Sequence, residues 1–427
     1  MLAELRSAAR RVGDQRALRS LLIDCRRLLS ERGEANSVAI AAGLVEHFAQ
    51  LAPEQQINFF EHLSRDFSPD PQAVLHSAQA YADEPSADNL IVLTRAAEPP
   101  RQELLRRINR TAGGTSALVR MRRALLEKLP QRPELRALEA DLYHLLSSWF
   151  NPGFLRCAKV DWNSPAQLLE QIIRHEAVHE IDGWDDLRRR LQPDRRCFAF
   201  FHPQLPDEPL IFVEVALLPE MPNAIAPLID KASAPLPASA FKVAAFYSIS
   251  NCQPGLRGVS LGNFLIKRVA EQLHRELPRL RTFCTLSPIP GFAAWLARGE
   301  DFAALPSLKR PAVERALQAR AALQEACGGD WSKLDAAAHA DALQRLAAIY
   351  LAHVSTRSDG DPVARFHLDN GARLERLNPG ANVSRKGLKQ AHGLMVNYLY
   401  DLARIESSHE AFTQGEVVHS RAIAQMI

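Results

Sequence analysis

At 427 residues, 47% hydrophobic and 24% charged, the chain has the balance of an ordinary folded protein of two or three domains at roughly 150 residues each, which excludes a disordered or fibrous one. Its 52 basic and 49 acidic residues leave a net charge of +3, which argues against a bulk nucleic-acid binder and leaves room for a small anionic ligand. The six cysteines lack C-x-x-C pairing, so neither a zinc knuckle nor a disulfide scaffold is indicated, and a reducing cytoplasm is the expected location. No run reaches the ~20 apolar residues needed to span a bilayer, the longest, Leu210 to Leu218, being broken by Glu214; no membrane association is expected.

The first segment is rich in arginine and helical, but Glu4, Asp14 and Asp24 dilute its positive face, so it is expected to belong to a folded domain rather than to a targeting sequence. The last three residues, Gln425-Met426-Ile427, form no peroxisomal signal. Residues 1–150 read as successive helices. Leu18, Leu21, Leu22, Cys25, Leu28 and Leu29 make one stripe at helical period, and Leu135, Leu138, Leu142, Leu145, Leu146 and Trp149 make another behind Pro133. Proline and glycine punctuation between them divides the region without a fixed repeat, which predicts an irregular helical bundle.

After Asn151-Pro152-Gly153 the pattern changes. Short apolar runs at Cys197 to Phe201, Leu210 to Leu218, Phe241 to Ser250 and Thr282 to Leu286 predict buried strands, with a helix at about Leu261 to Leu277. Residues 306–353 read as inserted helices, and Asn370-Gly371 as a turn between extended segments that would set His367 opposite Phe366 and Leu368. Residues 151–427 are therefore expected to form a mixed α and β domain.

Two motifs carry chemistry. His175-Glu176-Ala177-Val178-His179 matches H-E-x-x-H, which on a helix presents two imidazoles to zinc with the glutamate as base. Here the predicted helix, Ser164 to Glu180, runs straight into Ile181-Asp182-Gly183, and no third ligand follows at a metzincin interval; a polar helix end is the favoured reading and no metal is expected. The second motif, Arg257-Gly258-Val259-Ser260-Leu261-Gly262-Asn263, opens the helix that follows a strand and loop. Free N–H groups, the positive helix end and Arg257 suit a pyrophosphate there, against the plainer reading of a tight turn with a cap.

This second segment resembles the coenzyme A pyrophosphate loop of GNAT-type acyltransferases, [QR]-x-x-G-x-[GA]: Arg257 and Gly262 match its ends, while Ser260 replaces its central glycine. In context the resemblance narrows. Phe246-Tyr247-Ser248-Ile249-Ser250, Gly262 to Val269, Leu286-Ser287-Pro288-Ile289-Pro290-Gly291-Phe292, Phe366 to Ala372 and Gly393 to Tyr400 are together similar to the malonyl-CoA decarboxylase family, over nearly all of residues 149–402. The resemblance implies an N-terminal helical bundle (1–150) that self-associates into a homotetramer, followed by a GNAT-like acyltransferase domain (151–427) with a mixed central sheet. It implies malonyl-CoA as substrate, with Arg257 through Asn263 binding it, and Ser287, His367 and Tyr400 as catalytic residues. Animal members carry a glutamate where this chain has Ser260, so no acid role transfers to that position.

Decarboxylation of a malonyl thioester needs no organic cofactor, because the thioester carbonyl is the electron sink; it needs fixed donors for the enolate, a dry site and a proton. A serine, a histidine and backbone N–H groups suffice. Three rival readings remain: an acyl-CoA-dependent N-acyltransferase, a zinc peptidase through His175, Glu176 and His179, and a non-catalytic acyl-CoA-binding scaffold.

Overall fold

The computed structural model describes residues 2–30, 36–259, 261, 265–305 and 308–427, with side chains from residue 15 onward. It divides into two compact units. One comprises Met1–Arg156 with Phe201–Pro209 and Gln253–Leu261; the other comprises Cys157–Phe200, Leu210–Cys252 and Gly262–Ile427.

The first unit is helical: α1 (Leu2–Leu29), α2 (Ser37–Gln50), α3 (Pro53–Asp66), α4 (Pro71–Asp83), α5 (Ala87–Ala97), α6 (Pro100–Asn109), α7 (Gly114–Lys128) and α8 (Arg136–Trp149). Proline opens α3, α4 and α6, where its missing N–H costs nothing. The side chains of Asp70 and Ser86 cap α4 and α5. Both predicted stripes point inward: Leu18, Leu21, Leu22, Cys25 and Leu28 join Leu135, Leu138, Leu142 and Leu145 in one core with Leu29 and Trp149 at its margin. A 3-10 turn at Pro254–Leu256 packs on α7, where Arg122 Nη1 donates to the Gly255 carbonyl at 2.7 Å. A side chain at Gly255 would run into the Val119 carbonyl, so only glycine permits this approach.

The second unit is built on one mixed sheet in the order β1-β2-β3-β4-β5-β8-β6, with β7 also paired to β8. Its strands are β1 (Arg156–Val160), β2 (Arg195–Phe201), β3 (Ile211–Leu218), β4 (Val243–Asn251), β5 (Thr282–Thr285), β6 (Ser287–Pro288), β7 (Arg373–Asn378) and β8 (Met395–Leu399). The pairs β2–β3 and β3–β4 are antiparallel, whereas β4 and β5 are parallel, the chain crossing between them through α12 (Leu265–Glu276). That is the mixed sheet expected of the second domain. Before α12 come α9 (Ala166–His175), α10 (Gly183–Arg190) and α11 (Ala226–Ile229). After it come α13 (Phe292–Arg298), α14 (Arg310–Cys327), α15 (Ala340–Ile349), α16 (Pro362–Asp369), α17 (Arg385–Ala391), α18 (Ile405–Thr413) and α19 (Arg421–Ala424).

Three local expectations are corrected. His367 lies on a helix, not a strand, because Asp361 accepts from the N–H groups of Val363 and Ala364 with Pro362 in the first turn, a cap signature that outweighs the short apolar alternation around Phe366. Asn370-Gly371 ends that helix, with Gly371 at φ +77°, rather than turning a hairpin. The H-E-x-x-H segment is not a helical face either: α9 stops at His175 and Glu176 is already extended.

Candidate active site

The parallel pairing of β4 with β5 covers only Val243–Phe246 and Thr282–Thr285. Beyond Phe246 the two chains part, since Ser287 and Pro288 turn to pair with Val396 and Met395 of β8. A cavity of about 300 Å³ opens at the divergence. Tyr247, Ser248 and Ile249 of β4 line one side, Ser287 and Pro288 another, and Val363, Phe366 and His367 of α16 a third. At the same level the β3–β4 register slips between Glu214 and Val215, leaving Tyr247 as the extra residue of a bulge. A gap between strands beside a bulge leaves backbone polar groups of β4 facing a largely apolar hollow, which suits an extended ligand carrying amides and a thioester.

Two of the predicted residues, Ser287 and His367, line this cavity, and the third, Tyr400, stands behind His367. Ser287 Oγ lies 3.0 Å from His367 Nε2, and His367 Nδ1 lies 2.8 Å from the Tyr400 hydroxyl. They come from β6, α16 and the residue following β8, so the sheet and one capped helix fix all three. Ser287 is 5% exposed and His367 3%, so the dyad sits at the floor of the cavity. The hydroxyl of Ser287 donates to Thr285 Oγ1 at 2.9 Å, and Thr285 Oγ1 also accepts the Tyr398 N–H at 3.2 Å. With the serine proton turned to Thr285, Nε2 of His367 carries hydrogen toward Ser287 and Nδ1 accepts from Tyr400. The imidazole is gripped further by stacking on Tyr398 at 4.7 Å.

Thr285 and Tyr398 did not stand out in the sequence. Thr285 is two residues before Ser287, and Tyr398 is part of the Asn-Tyr-Leu-Tyr block. Asn397 of the same block donates to the Thr285 carbonyl at 2.8 Å, tying β5 to β8 behind the serine.

Burial governs the protonation states. Loss of solvent holds the His367 imidazole down at about 3 and keeps the Tyr400 phenol protonated well above its ordinary range. His179 is likewise held down at about 3, by burial first and then by the charges of Arg190 and Lys386. The unfolded chain takes up protons on these histidines below about 6.5 while the native state does not, so stability is full above that pH and is lost as pH falls toward about 3. Each contributes a slope of up to about 1.4 kcal/mol per pH unit. Urea unfolding at pH 7 and at pH 5 should show the loss, and it should shrink in a His179→Gln variant.

Glu176 of the H-E-x-x-H segment ties the chain to the β4 wall of the cavity. Glu176 is buried, its Oε1 accepting the N–H groups of Val178 and His179 at 2.8 Å and its Oε2 accepting the hydroxyls of Ser248 at 2.6 Å and Ser250 at 3.2 Å. The H-E-x-x-H residues are neither a helical zinc face nor a solvated helix end. Among the described residues no group of three or more His, Cys, Asp or Glu is placed to hold a metal ion.

In the anticipated pyrophosphate segment, Arg257 and Gly258 are exposed and Val259 and Leu261 buried, with Gly258 at φ +84°. Ser260, Gly262 and Asn263 lie outside the described residues.

The sequence profile of the malonyl-CoA decarboxylase C-terminal domain matches residues 153–427, and that of the malonyl-CoA decarboxylase N-terminal domain matches residues 67–150. The chain belongs to the malonyl-CoA decarboxylase family. Among similar solved structures, the malonyl-CoA decarboxylase of Rhodopseudomonas palustris is 46% identical, the match covering 96% of this chain and 99% of that one at a TM-score of 0.84. That of Agrobacterium vitis is 48% identical over 95% and 99% of the two chains, with a TM-score of 0.81. The mitochondrial malonyl-CoA decarboxylase of Mus musculus is 36% identical over 403 residues, 88% of this chain and 82% of that protein. In this decarboxylase-family member, Ser287, His367 and Tyr400 all lie within the stretch matched by the C-terminal profile. No described helix is long and apolar enough to cross a membrane.

Proposed function

We propose that the chain converts malonyl-CoA to acetyl-CoA and carbon dioxide at the cavity beside Ser287, without metal or organic cofactor. The observation that carries the reading is the relay from Tyr400 through His367 to Ser287, ending at a cavity open to an acyl thioester. Breaking the bond from the α-carbon to the carboxylate leaves its electron pair on the thioester enolate. The α-carbon of that enolate is more basic than an alkoxide, so proton transfer to it from Ser287 Oγ is downhill; Nε2 of His367 reloads Oγ, the Tyr400 hydroxyl reloads Nδ1, and solvent restores the tyrosine once carbon dioxide has left. The apolar wall favours loss of charge from the carboxylate. Backbone donors of β4 beyond its pairing with β5 face the growing oxyanion.

We assign Arg257 to Asn263 to the coenzyme A pyrophosphate, on the glycines and arginine of that segment. The assay is malonyl-CoA consumption by chelator-treated protein with no amine acceptor. Equal amounts of acetyl-CoA and carbon dioxide support the reading; surviving malonyl-CoA that is consumed only when an amine is added would replace it with acyl transfer.

We further propose a cytoplasmic homotetramer held by the helical unit. No disulfide joins any of the six cysteines, in keeping with a reducing compartment. The α4 and α5 helices expose Leu75 at 61%, Leu90 at 45%, Ile91 at 47% and Val92 at 53%, apolar surface that self-association would cover. Ile91→Glu should lower the mass measured by light scattering while leaving the helical circular dichroism unchanged.

A further inference from the structure

Asp361 is completely buried, yet it is not part of the cavity lining. Its Oδ1 caps the helix that carries His367, taking the N–H groups of Val363 and Ala364 at 3.0 Å each. Its Oδ2 does something a cap does not require: it accepts the Gly291 N–H at 2.9 Å, 70 residues away in the chain. Gly291 closes the segment Ser287-Pro288-Ile289-Pro290-Gly291, whose two prolines fix their φ angles and make it a stiff lever from the serine. From Pro362, the residue after Asp361, to His367 the chain is one continuous helix. A single carboxylate therefore joins the far ends of two rigid arms whose near ends meet as the 3.0 Å contact between Ser287 and His367.

The site at Gly291 is built for this approach. A β-carbon there would collide with the Tyr350 hydroxyl and crowd Asp361 Oδ2, so glycine lets the N–H reach the carboxylate. Tyr350 itself begins a π-turn, Tyr350–Val354, a local irregularity that aims its ring at this point.

We propose that Asp361 is a positioning residue that sets the distance between Ser287 and His367, a role that rests on the catalytic reading of that pair. It touches no reacting atom and acts through the two arms. The discriminating variant is Asp361→Asn, whose amide oxygen still caps the helix while its NH₂ faces the Gly291 N–H, donor against donor. A misplacement of about 1 Å between reacting groups is worth up to roughly 100-fold in rate.

The expected result is a kcat lowered by roughly 10- to 100-fold with KM for malonyl-CoA within about twofold of wild type. Asp361→Ser, which caps but is too short to bridge, should behave alike. Asp70→Asn at the cap of α4 serves as the control and should leave kcat unchanged. Wild-type kcat in Asp361→Asn overturns the proposal, and so does a parallel fall of kcat, affinity and thermal midpoint, or failure of both variants to fold, since each marks a purely structural bond. Ser287→Ala and His367→Ala are assayed alongside: if they keep wild-type turnover the catalytic reading fails, whereas if they alone lose it only the positioning role fails.

Discussion

Ser287→Ala and His367→Ala should each lower kcat for malonyl-CoA decarboxylation by roughly 10²- to 10⁴-fold, the range expected when a positioned proton-transfer group is removed. Coenzyme A binding, measured by calorimetry, should persist in both, because the proposed reading sets the two side chains against the acyl group and assigns the nucleotide part of the ligand elsewhere. Their effects should not add. Ser287 and His367 are consecutive members of one hydrogen-bonded relay, so once the first is removed the second has nothing to pass on, and the double variant should be little slower than the worse single. An additive double variant would mean that the two act on separate steps.

The largest expected effect on stability lies at Arg190. Its guanidinium, 1% exposed, takes both oxygens of Asp186, reaches Glu214 Oε2 at 3.0 Å and donates to the carbonyls of His179 and Glu180. Arg190→Met fills much of the same volume but strands two buried carboxylates and two carbonyls. Breaking a buried ionic cluster from one side costs roughly 3–5 kcal/mol, a large share of the 5–15 kcal/mol that holds a typical domain together. Burial already pushes the Glu214 carboxyl up to about 8 against the pull of Arg190. Glu214→Leu added to Arg190→Met should therefore recover part of the loss, and urea unfolding of the single and double variants gives the comparison. A fall below about 1 kcal/mol in the single variant would assign the cluster to the surface class of ion pairs.

How much of this was readable in advance depended on the range of the signal. Helical stripes and strand runs are set by residues a few positions apart, and Leu18 to Leu28, β2, β3 and β4 fell within a few residues of expectation. Ser287 was found at the strand edge where its proline neighbour pointed. The alternation around Phe366 sets His367 on the wrong backbone, because Asp361-Pro362, the cap that makes its segment helical, outweighs a two-residue pattern. The H-E-x-x-H spacing implies zinc chemistry only on a helix, and this helix ends at His175 rather than at the expected Glu180. Thr285, Tyr398 and Arg190 were silent, since their roles come from partners brought together only by the sheet and its flanking turns.

The helical unit does not consist of one continuous stretch. It includes Gln253–Leu261, whose Gly255 is bonded to Arg122 across 133 positions. During synthesis the N-terminal helices emerge first and can form locally, yet the surface of α7 that receives this turn waits until more than a hundred further residues have been made. The unit thus has long-range contacts that a bundle of its size would ordinarily lack, and closing them carries a loop-entropy cost that slows the last stage of folding. A helical fragment ending near residue 150 should fold quickly but carry an unfilled seam along α7, open to chaperones or to a neighbouring chain until the later segment arrives.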